Sequence, residues 1–149
     1  MKQRFSKRTR LVSALLTLAM VFTFLPFSAF AVAGGDLNVP LDNFPDETFR
    51  EYIGNTFDKD DDGILDTGER EAVTEIYVSK GYNGKKIKDL TGIQYFPNLK
   101  FLLCYENQLT ELDVSQNTKL TELYFVANQI TSLQADNCTK LTELYAGSK

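Results

Sequence analysis

The sequence contains no histidine and no tryptophan. Without histidine, no ordinary side chain changes charge near neutral pH, and most general-base, triad and zinc-site chemistries fall away together. Cysteine occurs only twice. Cys104 falls at a core position of the repeat described below and Cys138 in a return loop, which argues against a disulfide between them. Basic charge is scarce beyond residue 10. Lys2, Arg4, Lys7, Arg8 and Arg10 take five of the 16 basic residues, and the first acid is Asp36. Residues 34–149 therefore carry 11 basic against 20 acidic residues, a net charge of −9. So acidic a chain argues against nucleic acid, whose phosphates need basic neutralisation, and against anionic membrane surfaces. It suits divalent cations.

What is present begins with a leader. MKQRFSKRTR is followed by LVSALLTLAMVFTFLPFSAFAVA, an apolar run with Pro26 late in it and small residues at its end. Two A-x-A sites overlap, Ala29-Phe30-Ala31 and Ala31-Val32-Ala33. The pattern predicts a secretory signal over 1–33, cleaved before Gly34. The run is also about long enough to span a bilayer as an uncleaved anchor, but the late proline and the double site fit processing better. The expectation is a secreted or cell-surface protein with no membrane association after cleavage.

Gly34–Asn43 reads as a linker. FPDETFREYIGNTF, residues 44–57, then places Phe49, Ile53 and Phe57 at helical spacing, with Tyr52 joining the stripe. Pro45 suits the first helical position, and Asp46 and Glu47 the positive end of the helix dipole. The helix runs into DKDDDGILDTGE, six acidic side chains in twelve residues. Counted from Asp58, the pattern is D-x-D-x-D-G-x5-E. Asp58, Asp60 and Asp62 stand at positions 1, 3 and 5. Gly63 takes the sharp turn, Ile64 offers its backbone carbonyl, and Leu65 is the apolar residue that points inward. Asp66 ligates through water, and Glu69 supplies both oxygens. Calcium takes six to eight hard oxygen ligands, and this spacing wraps them round one point. Without an ion, so many carboxylates in a small volume repel one another. The alternative is a solvated acidic turn. A second helix has little room before VTEIYV, Val73–Val78, which alternates like a strand.

From Leu99 a repeat is visible. Leu99, Leu120 and Leu141 stand 21 residues apart, and Leu102, Leu123 and Leu144 match them. Asn107 pairs with Asn128, Leu109 with Ile130, and Leu112 with Leu133. This is the leucine-rich-repeat signature. Val73, Ile76 and Val78 begin an earlier, irregular repeat, lengthened by GYNGKK and resumed at Ile87 and Leu90. One strand with its irregular return loop cannot bury its leucines alone, so stacked repeats share a core under a parallel sheet. Asn107 and Asn128 read as structural, bonding turn backbone that would otherwise be buried without partners. The predicted fold is α/β: a solenoid over 73–149 behind a helical cap over 44–72. The repeats divide as 73–98, 99–119, 120–140 and a short 141–149. Ending where the third repeat would supply its asparagine suggests an N-terminal fragment of a larger exported protein. In that case the repeats would serve as a spacer for a catalytic or wall-anchored part.

The combination of FPDETFREYI, one EF-hand-like loop and IKDLTGIQYFPNLKFLLCYENQLTELDVSQNTKL resembles secreted leucine-rich-repeat proteins of Gram-positive gut bacteria, distantly internalin-like. The resemblance implies a curved solenoid used for binding or adhesion at a cell surface, with no catalytic residues. Its partner would be a protein or glycan on a host or neighbouring cell surface. The strand positions facing the concave surface carry Tyr77, Phe101, Leu103, Tyr105, Tyr124 and Tyr145, with Glu75, Glu122 and Glu143 beside them. Two readings stay open: a binding surface, since tyrosine offers area with a polar tip, or mutual stacking between strands. One loop rather than a pair favours a structural calcium ion, fixing the cap, over a signalling one.

Overall fold

The computed structural model describes residues 37–147. The expected signal segment over 1–33, with both cleavage sites, lies outside the described residues. No helix among the described residues is long and apolar enough to cross a membrane.

The cap opens with strand β1 (Val39–Pro40), a 3-10 turn at Leu41–Asn43 and helix α1 (Glu47–Phe57). Asp46 is the N-cap, its carboxylate accepting the Phe49 N–H at 2.9 Å. Pro45 therefore precedes the cap instead of opening the helix as expected. The reason is chemical: a cap residue must accept a backbone N–H, and Phe44, the residue before Pro45, has no acceptor in its side chain. The predicted stripe is real, with Phe49, Tyr52 and Ile53 buried and Phe57 packed against the core. The acidic stretch then turns into β2 (Ile64–Leu65) and helix α2 (Thr67–Ala72). β2 pairs antiparallel with β1, and Val39 is buried opposite Leu65. From Leu37 onward the expected linker is thus part of the cap. A two-residue strand is too short to show a periodicity, so nothing in the sequence marked it.

Strands β3 (Glu75–Tyr77), β4 (Phe101–Leu103), β5 (Glu111–Asp113), β6 (Glu122–Tyr124), β7 (Ser132–Gln134) and β8 (Glu143–Tyr145) follow. One parallel sheet runs in the order β3-β4-β6-β8. The return segments, expected to be irregular, hold a second parallel pair, β5 with β7. Their inward leucine sits between two polar residues, an alternation only three residues long and easily lost in a loop.

The core lies beneath the first sheet. Leu99, Leu102, Leu109, Leu120 and Leu123 are fully buried with Ile76, Ile87 and Phe96. Each such side chain contributes about 1.5–3 kcal/mol relative to leaving it in water. The matching residues at the far ends of the two sheets are uncovered, Leu133 at 37% and Leu144 at 49% exposure, because no described strand stacks beyond them.

The asparagines behave as predicted. Asn107 is buried, donates to the Val78 and Cys104 carbonyls and accepts the Ile87 N–H. Asn128 repeats the pattern with Cys104, Phe125 and Leu109. A second rung on the return side was not foreseen. Asn117 is fully buried and donates to the Ile93 and Phe96 carbonyls. One repeat on, Cys138 directs its thiol at the Val114 and Asn117 carbonyls. The same job is done by two unlike side chains. Cys104 and Cys138 are both buried and free, as expected of residues on different sides of the repeat.

Several contacts join cap to repeats, three of them through Asp46, Arg70 and Phe44. The second carboxylate oxygen of Asp46 accepts the Lys88 N–H at 2.8 Å. Arg70 is buried and donates to the carbonyls of Leu37 and Tyr95. Phe44 is seated against Gly92, whose φ is 108°. A Cβ at that position would lie 2.2 Å from the Phe44 ring, so only glycine permits the approach.

Candidate calcium loop and candidate binding face

The acidic loop is built by its own backbone. Asp58 accepts the N–H groups of Asp62 at 3.3 Å and Gly63 at 2.9 Å, and Asp62 accepts that of Ile64 at 2.8 Å. Asp61 and Gly63 take positive φ, which folds the chain tightly between the first and seventh positions. Leu65 points inward and is fully buried, as its position predicts. Ile64, expected to offer its carbonyl, lies in β2 opposite Pro40. The loop's exit strand therefore pairs with the chain's own N-terminal segment and needs no second loop.

Asp66 and Glu69 open α2 as a capping box. Asp66 accepts the Glu69 N–H at 2.8 Å, and Glu69 accepts the Asp66 N–H at 3.0 Å. The other oxygen of Glu69 accepts the Lys59 N–H, which draws it back over the loop. Such a box contributes about 1 kcal/mol through satisfied N–H groups at the helix end. The result is convergence. Asp58, Asp60 and Glu69 each present a carboxylate oxygen within 4.8 Å of the others. Asp62 turns to the backbone and Asp66 to its helix. Partial desolvation, with the charges of Asp62, Glu69 and Asp58 added, holds the Asp60 carboxyl above its usual range. Hard oxygens and surplus negative charge at that spacing fit calcium: three carboxylates, with carbonyl and water oxygens to complete the shell.

The residues expected on the concave side lie mostly on one face of the larger sheet. Register places Glu75, Phe101, Glu122 and Glu143 in one row and Tyr77, Leu103, Tyr124 and Tyr145 in the next. The rings form a continuous run. Tyr77 meets Phe101 at 5.2 Å between centroids, Phe101 meets Tyr124 at 5.4 Å, and Tyr124 stacks on Tyr145 at 4.6 Å with 7° between planes. Leu103 has no ring, so the run crosses diagonally to Phe101 in the other row, a reach open to aromatic side chains. Tyr105 takes no part in it. Each ring pair adds about 0.5–1.5 kcal/mol beyond the area buried. The ends remain open, Tyr77 at 51% and Tyr145 at 52% exposure.

Carboxylates tie down the hydroxyls. Tyr77 donates to Glu75 at 2.6 Å, and Tyr124 donates to Glu143 at 2.6 Å and Glu122 at 3.2 Å. These bonds, with desolvation, raise the pKa of both phenols. Burial pushes the Cys104 thiol up to about 12, so it is no nucleophile.

Stacked parallel strands, repeat leucines and asparagine-bonded turns define a leucine-rich-repeat solenoid of the α/β class. Comparisons with known proteins agree. No protein-family model matches the chain. Internalin J of Listeria monocytogenes serotype 4b (strain F2365) is 36% identical over 77 residues, which is 52% of this chain and 8% of that protein. Among solved structures, the functional domain of InlJ from Listeria monocytogenes, described as including a cysteine ladder, superposes with a TM-score of 0.64 at 30% identity. The match covers 76% of this chain and 24% of that one. An internalin, InlF, from strain 4b F2365 superposes with a TM-score of 0.63 at 34% identity, covering 74% and 32%. The chain is thus similar to internalins in sequence and fold, and it spans a small part of their length.

Proposed function

We propose that this chain is a non-catalytic binding module of an exported bacterial protein, with a calcium ion stabilising its N-terminal cap. One observation carries the reading: an uninterrupted run of rings, Tyr77, Phe101, Tyr124 and Tyr145, lies on an exposed sheet face and is open at both ends. Large amphipathic rings held rigid by one another lose little entropy when a partner lands on them. The face would engage a protein or glycan on a host or neighbouring cell surface. Calcium would be held by Asp58, Asp60 and Glu69, with Asp62, Asp66 and the Ile64 carbonyl nearby; their convergence supports the assignment. The ion would fix α1 and α2 in the cap that covers the first repeat. Export rests on the leader at 1–33.

The test is binding of the full chain to panels of host-surface glycans and proteins. Tyr124→Ser and Tyr145→Ser should each weaken any interaction found. A ligand whose affinity ignores both substitutions would reduce the ring run to packing.

A further inference from the structure

We infer that the partner of the ladder face is an extended protein segment bearing arginine or lysine side chains, read by the row of glutamates beside the rings. The inference rests on the face being a binding surface and names the partner's chemistry.

The first observation is an arrangement that the fold alone would avoid. Glu122 and Glu143 stand directly opposite each other on neighbouring parallel strands. Like charges so placed repel and destabilise a sheet. The Tyr124 hydroxyl lies between them and donates toward both. One hydrogen bond donor does not neutralise two carboxylates. Glu75 continues the row two strands away. Neither row of the face contains a lysine or an arginine. Among the described residues, Glu75, Glu122 and Glu143 form no ion pair, and that of Lys85 with Glu51 involves none of them. Three glutamates are thus left without a cation, on the face where the rings already make a rigid floor.

The second observation concerns the rings. Their faces are turned to one another, most completely between Tyr124 and Tyr145. A sugar that stacks needs a free ring face, and the run offers one most openly at its two ends, Tyr77 and Tyr145. The carboxylates are what the surface presents for recognition. A guanidinium is planar and pairs with a carboxylate through two parallel hydrogen bonds.

Spacing separates a basic segment from a bound metal ion. Neighbouring strands lie about 4.8 Å apart, so the Glu75 and Glu122 positions are about 10 Å apart. One ion cannot bridge that gap. An extended segment in the polyproline II conformation rises about 3.1 Å per residue with about three residues per turn, so it covers the gap in about three residues and keeps both side chains on one side. The segment that fits carries two basic side chains about three residues apart, one for Glu75 and one for the Glu122–Glu143 pair. The acidic surface of the chain would also draw such a segment in by long-range attraction.

The experiment uses the full chain and short fluorescent peptides. One carries two arginines three residues apart, a second carries citrulline in their place, and a third carries glutamate. Neutral and sialylated oligosaccharides complete the probe set. Anisotropy is read at low and high salt, for wild type, Glu122→Gln/Glu143→Gln and Tyr124→Ser. The expected result is binding of the arginine peptide about tenfold tighter than the citrulline one, lost by about tenfold in the glutamine variant and weakened by salt. The glutamine variant should melt no lower than wild type, since it loses a repulsion. A probe bound by wild type, weakened in Tyr124→Ser and unaffected in the glutamine variant would overturn the basic partner and leave the binding face standing. No binding of any probe, or binding indifferent to all the substitutions, would overturn both.

Discussion

The phenolic oxygen of Tyr52, on the first cap helix, accepts the backbone N–H of Tyr77 at 3.2 Å. Tyr77 belongs to β3, the edge strand on the cap side of the larger sheet. An edge strand presents N–H groups with no ladder partner, and here a side chain of the cap supplies one. The contact also ties the helix that leads into the acidic loop to the first ring of the aromatic run. Cap and ring run are therefore joined directly. Tyr52→Phe keeps the packing of the ring against Phe57 and Tyr82 but leaves that N–H unpaired. Urea unfolding should show a loss of about 1–2 kcal/mol. A loss near zero would mean that water satisfies the N–H and that the cap holds by apolar packing alone.

Calcium should raise the unfolding midpoint, and chelator should lower it. An ion that binds only the folded chain stabilises by about 2.7 kcal/mol at a concentration about 100-fold above its dissociation constant. Asp60→Asn separates charge from shape. It removes one of the three convergent carboxylates and relieves crowding among those that remain. The variant should melt higher than wild type in chelator and respond less to calcium. Calorimetry with no heat of binding, together with midpoints unmoved by chelator, would remove the ion from the cap.

The return side offers a paired comparison. Asn117 and Cys138 occupy equivalent places one repeat apart and point at equivalent carbonyls. An amide N–H is the stronger donor, so Cys138→Asn should be tolerated and gain up to about 1 kcal/mol. Asn117→Ala takes one of two donors from each of the Ile93 and Phe96 carbonyls, which keep the backbone N–H groups of Phe96 and Leu99, and should cost about 1–2 kcal/mol. Denaturant midpoints of the two variants check both signs. A destabilised Cys138→Asn would show that the site is shaped for sulfur rather than for a donor.

Residues whose role depends on their own spacing were legible. The 21-residue leucine period, the buried pair Asn107 and Asn128, and the inward Leu65 follow from local chemistry repeated at fixed intervals. Residues whose partners are remote were not. Arg70 reaches backbone 33 positions away in one direction and 25 in the other, and no local pattern points to either. Phe101 enters the ring run only because strand register brings it diagonally between Tyr77 and Tyr124. Asn117 and Cys138 escaped because a shared geometry was spelled with different letters. The acidic loop lies between these cases. Its acidic spacing was readable, while the strand that completes it came from a segment read as linker.

Alkaline titration tests the link between rings and glutamates. The Tyr124 hydroxyl is held protonated first by its bond to Glu143, then by desolvation and by Glu122, and its pKa lies above the ordinary 10.0. Tyr77 is raised for the same reason by Glu75. A folded-state pKa above the unfolded value means that the protonated form is favoured by folding. The contribution is complete below about pH 10 and is lost as pH rises through the folded values. The phenolate absorbance of the native chain should therefore lag that of free tyrosine, and loosening of the ladder should accompany its late phase. Tyr124→Phe should remove the most alkaline part of the curve. Glu143→Gln should keep the phenol and shift it back toward ordinary titration, because the amide carries no charge. If Tyr124→Phe removes an ordinary tyrosine from the curve instead, the hydroxyl is not bound between the two carboxylates in solution. The repulsion between Glu122 and Glu143 would then be unrelieved within the chain.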